Sequence, residues 1–278
     1  MQKDQALGLF MGLFIGDALG APLEFIPTDQ VPYTTEMTGG GVHRVDPGSW
    51  TDDGAMAVCL ARAYLTQRKF APDQIVRNFR HWKKTGCFGT RDYCFDIGIT
   101  TEKALERCTE EYPYAGSASP MASGNGSIMR LAPVIVANHT HLGLCIGQSV
   151  ASSLITHGSV ETVNYISAFA HEMYEGKPLP EYDLLRQWTT EGSDKGGGSI
   201  MYTYATAWKY VSQCPDFESA VVGAVNLGYD ADTVGAVTGM IAGRLHGYSN
   251  IPGRWLNKLY DHDNLLAMAE ALYELGSG

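Results

Sequence analysis

Two short acidic motifs are the residues in this sequence most suited to chemistry. In SWTDDGAM (49–56), Asp52 and Asp53 stand side by side after Thr51 and before an apolar run. Neighbouring side chains on a helix point about 100° apart, so both carboxylates can face one target only where a helix begins. A Thr–Asp–Asp group there offers hard oxygen ligands suited to Mg²⁺ or Mn²⁺. A plainer interpretation, that the acidic residues stabilise the positive end of the helix dipole, remains open.

The second motif, LGYDADTVGAVTGMIAG (227–243), repeats the pattern about 180 residues later. Asp230, Asp232 and Thr233 precede another apolar run, which is rich in glycine and alanine and therefore able to approach a neighbouring helix closely. Four carboxylates brought together would repel one another strongly. Two divalent cations would neutralise them, as in a two-metal centre. The two motifs together favour a shared metal site.

Other chemically suggestive residues lie outside these motifs. Glu24 follows a rigid turn containing Gly20 and Pro22, where a fifth carboxylate could reach the same site. Asp17 lies inside the preceding helical run, and we interpret it as a buried cap or hydrogen-bond acceptor. The Gly-, Ser- and Pro-rich segment 112–130 is long for a loop in a compact helical domain, which favours a functional role.

The elements that must hold these residues are helices. Apolar residues recur at helical spacing along most of the chain, and strand signals are scarce. The sequence predicts helices over residues 4–20, 53–67, 72–84, 98–110, 142–154, 159–175, 199–212, 217–227, 232–246 and 263–275. The absence of a linker or charge block favours one all-α domain over residues 1–278.

Composition excludes several classes of function. A net charge of −10 argues against nucleic acid and against anionic membranes as partners. The N-terminal run ALGLFMGLFIG continues as a helical pattern past Asp17, so we expect a buried helix rather than a signal peptide. No apolar run is expected to reach the roughly 20 residues that span a bilayer. Six cysteines without a C-x-x-C pair predict a reduced, cytoplasmic protein.

Six motifs follow one another in the chain: GDALGAPLEF, WTDDGAMAV, DIGITTEKAL, GNGSIMRLAPV, SLITHGS and GYDADTVGAVTGMIAG. In this order they resemble the ADP-ribosylglycohydrolase family, and the resemblance runs from about residue 6 to residue 260. The resemblance implies a compact, orthogonal, multi-helix all-α fold with two Mg²⁺ or Mn²⁺ ions. It also implies hydrolysis of the bond between C1″ of ADP-ribose and an acceptor, with the metals holding the ribose hydroxyls and activating water.

The resemblance also assigns roles residue by residue. It implies Glu24, or a metal-bound aspartate such as Asp53 or Asp232, as the acid and base. Asp96 would face the leaving group, although it could instead be the N-cap of helix 98–110. The implied metal ligands are Thr51, Asp52, Asp53, Asp230, Asp232 and Thr233. The implied substrate-binding residues are Asp96, Gly124, Asn125, Gly126, Ser127, Met129, His157 and Tyr229.

The sequence departs from the family pattern at three points. Gly54 stands where a threonine is common, and Tyr229 stands where a glycine is common. Tyr229 could stack on a base or narrow the pocket. In KGGGSIMYTYATAW (195–208) the family's aromatic residue matches a position near Ser199, with Tyr202 and Tyr204 further on. These departures leave the fit of the substrate open.

The predicted function is metal-dependent hydrolysis that removes ADP-ribose from an acceptor, with arginine favoured because Asp96 could hold a guanidinium. The expected partners are ADP-ribose and an ADP-ribosylated protein or small acceptor. One alternative is an ADP-ribose-binding or immunity protein that neutralises an ADP-ribosyltransferase by contact. A second is a metal-dependent phosphohydrolase.

Overall fold

The computed structural model describes residues 1–179 and 197–278, and its regular secondary structure there is helical. In these two ranges the β-structure is limited to isolated β-bridges, and no strand is formed. The all-α prediction is therefore confirmed. The α-helices of the described ranges are α1 (Lys3–Gly20), α2 (Asp52–Gln67), α3 (Pro72–Thr85), α4 (Ile99–Arg107), α5 (Ala132–Ala137), α6 (Leu142–Leu154), α7 (Val160–Glu175), α8 (Ile200–Gln213), α9 (Phe217–Val225), α10 (Ala231–His246), α11 (Gly253–Leu256) and α12 (His262–Ser277).

All ten helices expected from periodicity are present, but three of their C-terminal ends differ from the prediction by two or three residues, and two α-helices of the described ranges were missed. Helix α12 ends at Ser277 rather than 275. Helix α4 ends at Arg107, three residues before the expected 110, because Cys108 adopts an extended backbone. Helix α9 ends at Val225 rather than 227. The missed helices α5 and α11 have six and four residues, which is too short to establish a period.

A glycine seam between α1 and α10 lies at the centre of the molecule. The helices run antiparallel, with Gly8 facing Gly243, Gly12 facing Gly239 and Gly16 facing Gly235. A Cβ built on Gly12 would lie 2.1 Å from the carbonyl oxygen of Gly239. Residues four apart share one helix face, so this spacing puts backbone against backbone along the whole seam.

The N-terminal helix is longer and more apolar than we expected. The segment Lys3–Leu23 has the length and composition of a membrane-crossing helix, so the expectation that no run reaches that length was wrong. Its apolar window is nevertheless wholly buried inside the fold. Phe14, for example, packs edge-on against Trp50 at 5.1 Å between ring centroids. This burial is typical of the core helix of a globular protein.

Candidate active site

Asp17 connects α1 to the start of α2. Its buried carboxylate accepts hydrogen bonds from the backbone N–H groups of Thr51 and Gly54, both at 2.9 Å. Thr51, the N-cap of α2, makes no side-chain capping bond of its own. Asp17 therefore caps α2 from another helix, as a buried hydrogen-bond acceptor. Asp52 and Asp53 lie in the first turn of α2, where acidic residues interact favourably with the helix dipole, so the plainer interpretation of that pair stays open beside the metal-ligand one.

The two acidic motifs meet in space. The Thr51 hydroxyl lies 3.2 Å from Oδ2 of Asp232, and the Thr233 hydroxyl lies 3.4 Å from Oδ1 of Asp53. These pairs are 181 and 180 residues apart in sequence. The α1–α10 seam makes the contact possible, because it brings the N-terminus of α10 beside Asp17 and hence beside the start of α2. We call the six residues Thr51, Asp52, Asp53, Asp230, Asp232 and Thr233 the acidic cluster.

Two further carboxylates reach the cluster from outside. Oxygen atoms of Glu24, Asp230 and Asp232 lie within 4.8 Å of one another, and so do those of Asp52, Asp96 and Asp232. Burial is the largest cause of the raised pKa values here, and repulsion between neighbouring carboxylates adds to it. The pKa rises to about 7 for Glu24 and to about 6 for Asp230.

The donors of the cluster fit divalent cations. Burial and repulsion raise the pKa of Asp52, Asp53 and Asp232 well above the ordinary value for aspartate. Oδ2 of Asp53 and Oδ1 of Asp232 are buried without a hydrogen-bond partner in the described parts of the chain. Such orphaned oxygens are costly unless something fills the space between them. Carboxylate and hydroxyl oxygens are the ligands that Mg²⁺ and Mn²⁺ prefer.

A cavity of about 460 Å³ opens beside the cluster. This volume is typical of a small-molecule site. Three expected site residues, Thr51, Asp53 and Ser127, lie behind the cavity wall rather than on it. The remaining expected residues line it, namely Glu24, Asp52, Asp96, Gly124, Asn125, Gly126, Met129, His157, Tyr229, Asp230, Asp232 and Thr233.

The glycine-containing loop at residues 124–127 is fixed to two neighbours. The backbone N–H of Asn125 donates to the carbonyl of Gly198 at 2.9 Å. Its side-chain amide donates to the Thr203 hydroxyl at 2.8 Å and also to Oδ2 of Asp230. Asn125 therefore joins the loop to α8 and to the acidic cluster, which places the two parts of the site in a fixed relation.

His157 lies directly beneath this loop. A Cβ on Gly126 would meet its Cε1 atom at 2.9 Å, and one on Gly124 would lie 3.3 Å from its Nε2 atom. Glycine at these positions therefore leaves room for the imidazole. Burial, together with the nearby Arg130 guanidinium, lowers the pKa of His157 to about 3, so the ring is neutral at physiological pH.

His43 is a site residue that the sequence did not reveal. Its Nε2 atom lies 2.9 Å from Oε2 of Glu24 and 3.5 Å from Oδ2 of Asp96. The hydrogen bond to Glu24 raises the pKa of His43. Asp96 is not a helix cap, because Gly98 is the N-cap of α4; that alternative was wrong. A lone histidine in the loop TGGGVHRVDPGSW (38–50) has no spacing signal that would mark it as functional.

The structure also shows where the residues that depart from the family pattern lie. A Cβ on Gly54 would lie 2.4 Å from the Trp50 side chain, so the indole occupies the space that a larger residue would need. Tyr229 has a φ of 52° and lines the cavity. Tyr204 is fully buried, and its hydroxyl donates to Glu172 at 2.7 Å, which removes it from the substrate-facing surface. Residues 195 and 196 of the stretch 195–208 lie outside the described ranges.

Comparison with known proteins identifies the relatives of this chain. A model of the ADP-ribosylglycohydrolase family matches residues 1–278. The chain is 34% identical to the ADP-ribosylarginine hydrolase Tri1 of Serratia proteamaculans (strain 568), covering 97% of this chain and 79% of that protein. It is 31% identical to the ADP-ribosyl-[dinitrogen reductase] glycohydrolase of Rhodospirillum rubrum, and this match covers 92% of this chain and 90% of that protein. A solved structure, an ADP-ribosylglycohydrolase-related protein complex, aligns with a TM-score of 0.85 and 36% identity. The alignment covers 99% of this chain and 98% of that chain.

Proposed function

Because this chain belongs to the ADP-ribosylglycohydrolase family, we propose that it hydrolyses the bond between C1″ of ADP-ribose and an arginine side chain. The reaction would depend on divalent metal. The observation that carries this proposal is the position of Glu24 and Asp96 on the wall of the cavity, beside the acidic cluster. A carboxylate suited to proton transfer and a carboxylate suited to a guanidinium thus face the same space as the proposed metal ligands.

Asp96 would hold the acceptor. Its side chain is mostly buried and lines the cavity, and Arg91, the nearest cation along the loop, instead donates to the backbone carbonyl of His43. A guanidinium presents parallel N–H groups that match the two oxygens of a carboxylate. A serine-linked substrate has no such pair of donors. The geometry therefore favours arginine over serine as the acceptor.

Glu24 would move the proton. Burial raises its pKa to about 7, which is near the value at which a carboxyl group can both accept and donate a proton at neutral pH. His43 orients it through the 2.9 Å contact. Departure of the acceptor builds positive charge on the ribose, as in glycoside hydrolysis generally, and the surrounding carboxylates would stabilise that charge.

Two divalent cations held by Thr51, Asp52, Asp53, Asp230, Asp232 and Thr233 would supply positive charge and Lewis acidity to the cluster. Around them, the chain itself would position the substrate. The loop at residues 124–127 would hold the diphosphate and the neighbouring ribose, since glycine-rich backbone is suited to anionic oxygens. His157, which lies beneath the loop and lines the cavity, would contact the same part of the substrate.

The relatives support arginine as the acceptor. The protein of Serratia proteamaculans is named for hydrolysis of ADP-ribosylarginine, and a second protein of that name from Pseudomonas putida (strain GB-1) is 33% identical to this chain. The name of the relative from Rhodospirillum rubrum refers to a modified protein, ADP-ribosylated dinitrogen reductase. We therefore expect a modified protein to be a substrate.

The test is release of ADP-ribose from matched arginine-linked and serine-linked peptides, with Mg²⁺ or with EDTA. We expect rapid release from the arginine peptide only, and none in EDTA. Replacement Asp96→Ala should reduce that activity by about 10²-fold or more, which is typical for loss of one positioned catalytic contact. Asp92→Ala, on the same loop but exposed, serves as the matched control and should keep full activity.

Two outcomes would contradict the proposal. Comparable release from the serine peptide, or unchanged arginine kinetics in Asp96→Ala, would remove Asp96 from the acceptor site. Binding of ADP-ribose without any turnover would instead favour a binding or immunity protein. Turnover that persists in EDTA would exclude the metal dependence.

A further inference from the structure

Arg130 is a fully buried cation behind the cavity wall. Its guanidinium lies 4.7 Å from the centroid of the Phe79 ring, and no carboxylate pairs with it in residues 1–179 or 197–278. One of its terminal nitrogens, Nη2, donates to the carbonyl of Ser152 at 3.1 Å and to the hydroxyl of Thr156 at 2.8 Å. The second of these bonds connects Arg130 to the residue beside His157.

The Thr156 hydroxyl connects Arg130 to the imidazole of His157. Its oxygen lies 2.8 Å from Nδ1 of His157. A guanidinium can only donate hydrogen bonds, so the hydroxyl must accept from Arg130. The remaining proton of the hydroxyl then has Nδ1 as its acceptor. If Nδ1 carried a proton instead, that hydroxyl proton would be buried without a partner, which costs free energy.

The opposite ring nitrogen faces the substrate cavity. With Nδ1 as an acceptor and the ring neutral, the proton resides on Nε2. Nε2 has no hydrogen-bond partner in the described parts of the chain, and it lies next to Gly124 and Gly126, which line the cavity with His157. An unpaired N–H donor is therefore directed to the place where the loop at residues 124–127 meets the substrate.

We propose that Arg130 and Thr156 are positioning residues that fix His157 in its Nε2–H tautomer, so that the cavity always presents a neutral hydrogen-bond donor to an oxygen atom of the ADP-ribosyl group. This inference deepens the proposed function and rests on it for the identity of the ligand. The tautomer itself follows from the protein alone.

The chemical consequence is that His157 binds an oxygen atom that accepts a hydrogen bond, without placing an additional positive charge in the cavity. In the other tautomer, Nε2 would present a lone pair, which repels a phosphate oxygen and can only accept a hydrogen bond from a hydroxyl group. A charged imidazolium would bind phosphate but would also sit close to the Arg130 guanidinium. The fixed neutral tautomer avoids both arrangements.

The test is long-range ¹H–¹⁵N correlation of the histidine rings in the ¹⁵N-labelled, Mg²⁺-loaded protein, with His157→Gln used to assign the signal. We expect the Nε2–H tautomer in the parent and in Thr156→Ser, which keeps the hydroxyl. In Thr156→Val the fixed tautomer should be lost, and calorimetry should show ADP-ribose binding weakened by about fivefold, the effect of one neutral hydrogen bond. Thr238→Val removes another buried hydroxyl, bonded only within α10, and should retain the parent's tautomer and affinity.

The outcomes separate this inference from the proposed function. An Nδ1–H tautomer in the parent, or a Thr156→Val protein with unchanged tautomer and affinity, would overturn the role of Arg130 and Thr156. If Thr156→Val does not fold, the parent and Thr156→Ser spectra still decide the tautomer. Failure of the parent to bind or release ADP-ribose, with the Nε2–H tautomer present, would count against the proposed function instead.

Discussion

The glycine seam joins α1 to α10, and the acidic cluster joins the starts of α2 and α10, yet the two regions obtain their burial in opposite ways. In the seam, Gly12 and Gly239 bring backbone against backbone, with no ionisable group between them. In the acidic cluster, Asp52, Asp53 and Asp232 bury carboxylates close together. The seam gains dense packing, whereas the cluster bears the cost of desolvation and like-charge repulsion.

The difference suggests a division of labour. A rigid seam can hold charged groups at distances that they would not adopt by themselves, and the free energy gained in packing offsets their repulsion. Functional sites often depart in this way from the arrangement that stability alone would favour. The following predictions are ordered by the expected change in the free energy of unfolding.

The largest effect is expected from closing the space in the seam. In Gly12→Ala, the new methyl group would lie 2.1 Å from the backbone carbonyl oxygen of Gly239, so the helices must separate. We expect a loss of about 3 kcal/mol or more in the free energy of unfolding, since overpacking against backbone cannot be relieved by a side-chain rotation. Chemical denaturation measures it.

Gly147→Ala is the matched control for the seam. Gly147 lies within α6, is exposed, and has open space around its Cβ position. Alanine there should stabilise the helix by about 0.5–1 kcal/mol. Equal stabilities for the parent and Gly12→Ala would contradict the close packing of α1 and α10.

A smaller effect is expected from pH, and it should come from the buried carboxylates beside the acidic cluster rather than from the glycines of the seam. Burial raises the pKa of Asp17 and of Glu24 to about 7 in the folded state, above the unfolded values near 4. The folded protein therefore binds more protons than the unfolded chain between these values, and its stability falls as the pH rises through this range. From pH 6 to pH 8 we expect the metal-free protein to lose on the order of 1–3 kcal/mol.

Denaturation in EDTA at several pH values provides the measurement, and the same series in saturating Mg²⁺ provides the control. Bound cations favour the ionised carboxylates, so the fall in stability should disappear or reverse in Mg²⁺. Stability that increases from pH 6 to pH 8 in EDTA would contradict the raised pKa values.

The smallest change in stability, and a large change in activity, is expected from Asp232→Asn. The substitution removes a carboxyl group whose ionised form is disfavoured by burial and by its neighbours in the folded state, so the metal-free protein should become about 1 kcal/mol more stable. Loss of a proposed metal ligand should reduce turnover by about 10²-fold or more. Melting in EDTA, compared with the exposed control Asp29→Asn, measures the first effect. A large loss of metal-free stability would mean that Asp232 is a structural residue.

Local spacing predicted much of the fold and the composition of the cluster. The helices follow from apolar periodicity, and the two acidic motifs are visible within a few residues of sequence. Their meeting in space is a structural finding, whereas the catalytic and ligand roles of the residues remain predictions. Spacing also marked Asp17 as an acceptor, but it could not name Thr51 and Gly54 as its donors.

What the sequence did not show depends on contacts between distant segments. His43 pairs with Glu24 only because a loop folds back over the turn after α1. The glycines of α1 allow close packing of the backbone, but this role is visible only once α10 is placed opposite them. Gly54 is explained by the orientation of the Trp50 indole. Periodicity shows which residues share a helix face, but it carries no information about what that face will pack against.

Thr51 and Asp232 are 181 residues apart in sequence, and this separation has a consequence for synthesis of the protein. A ribosome adds about 5–20 residues per second, so the first half of the cluster waits roughly 10–40 s for the second half to be made. During that interval the nascent chain has only the first half of the acidic cluster, and the proposed metal site is incomplete. Binding of the proposed cations would then follow synthesis of α10 and its docking on α1. A chain without bound cations would therefore be one in which α10 has not yet been made or docked.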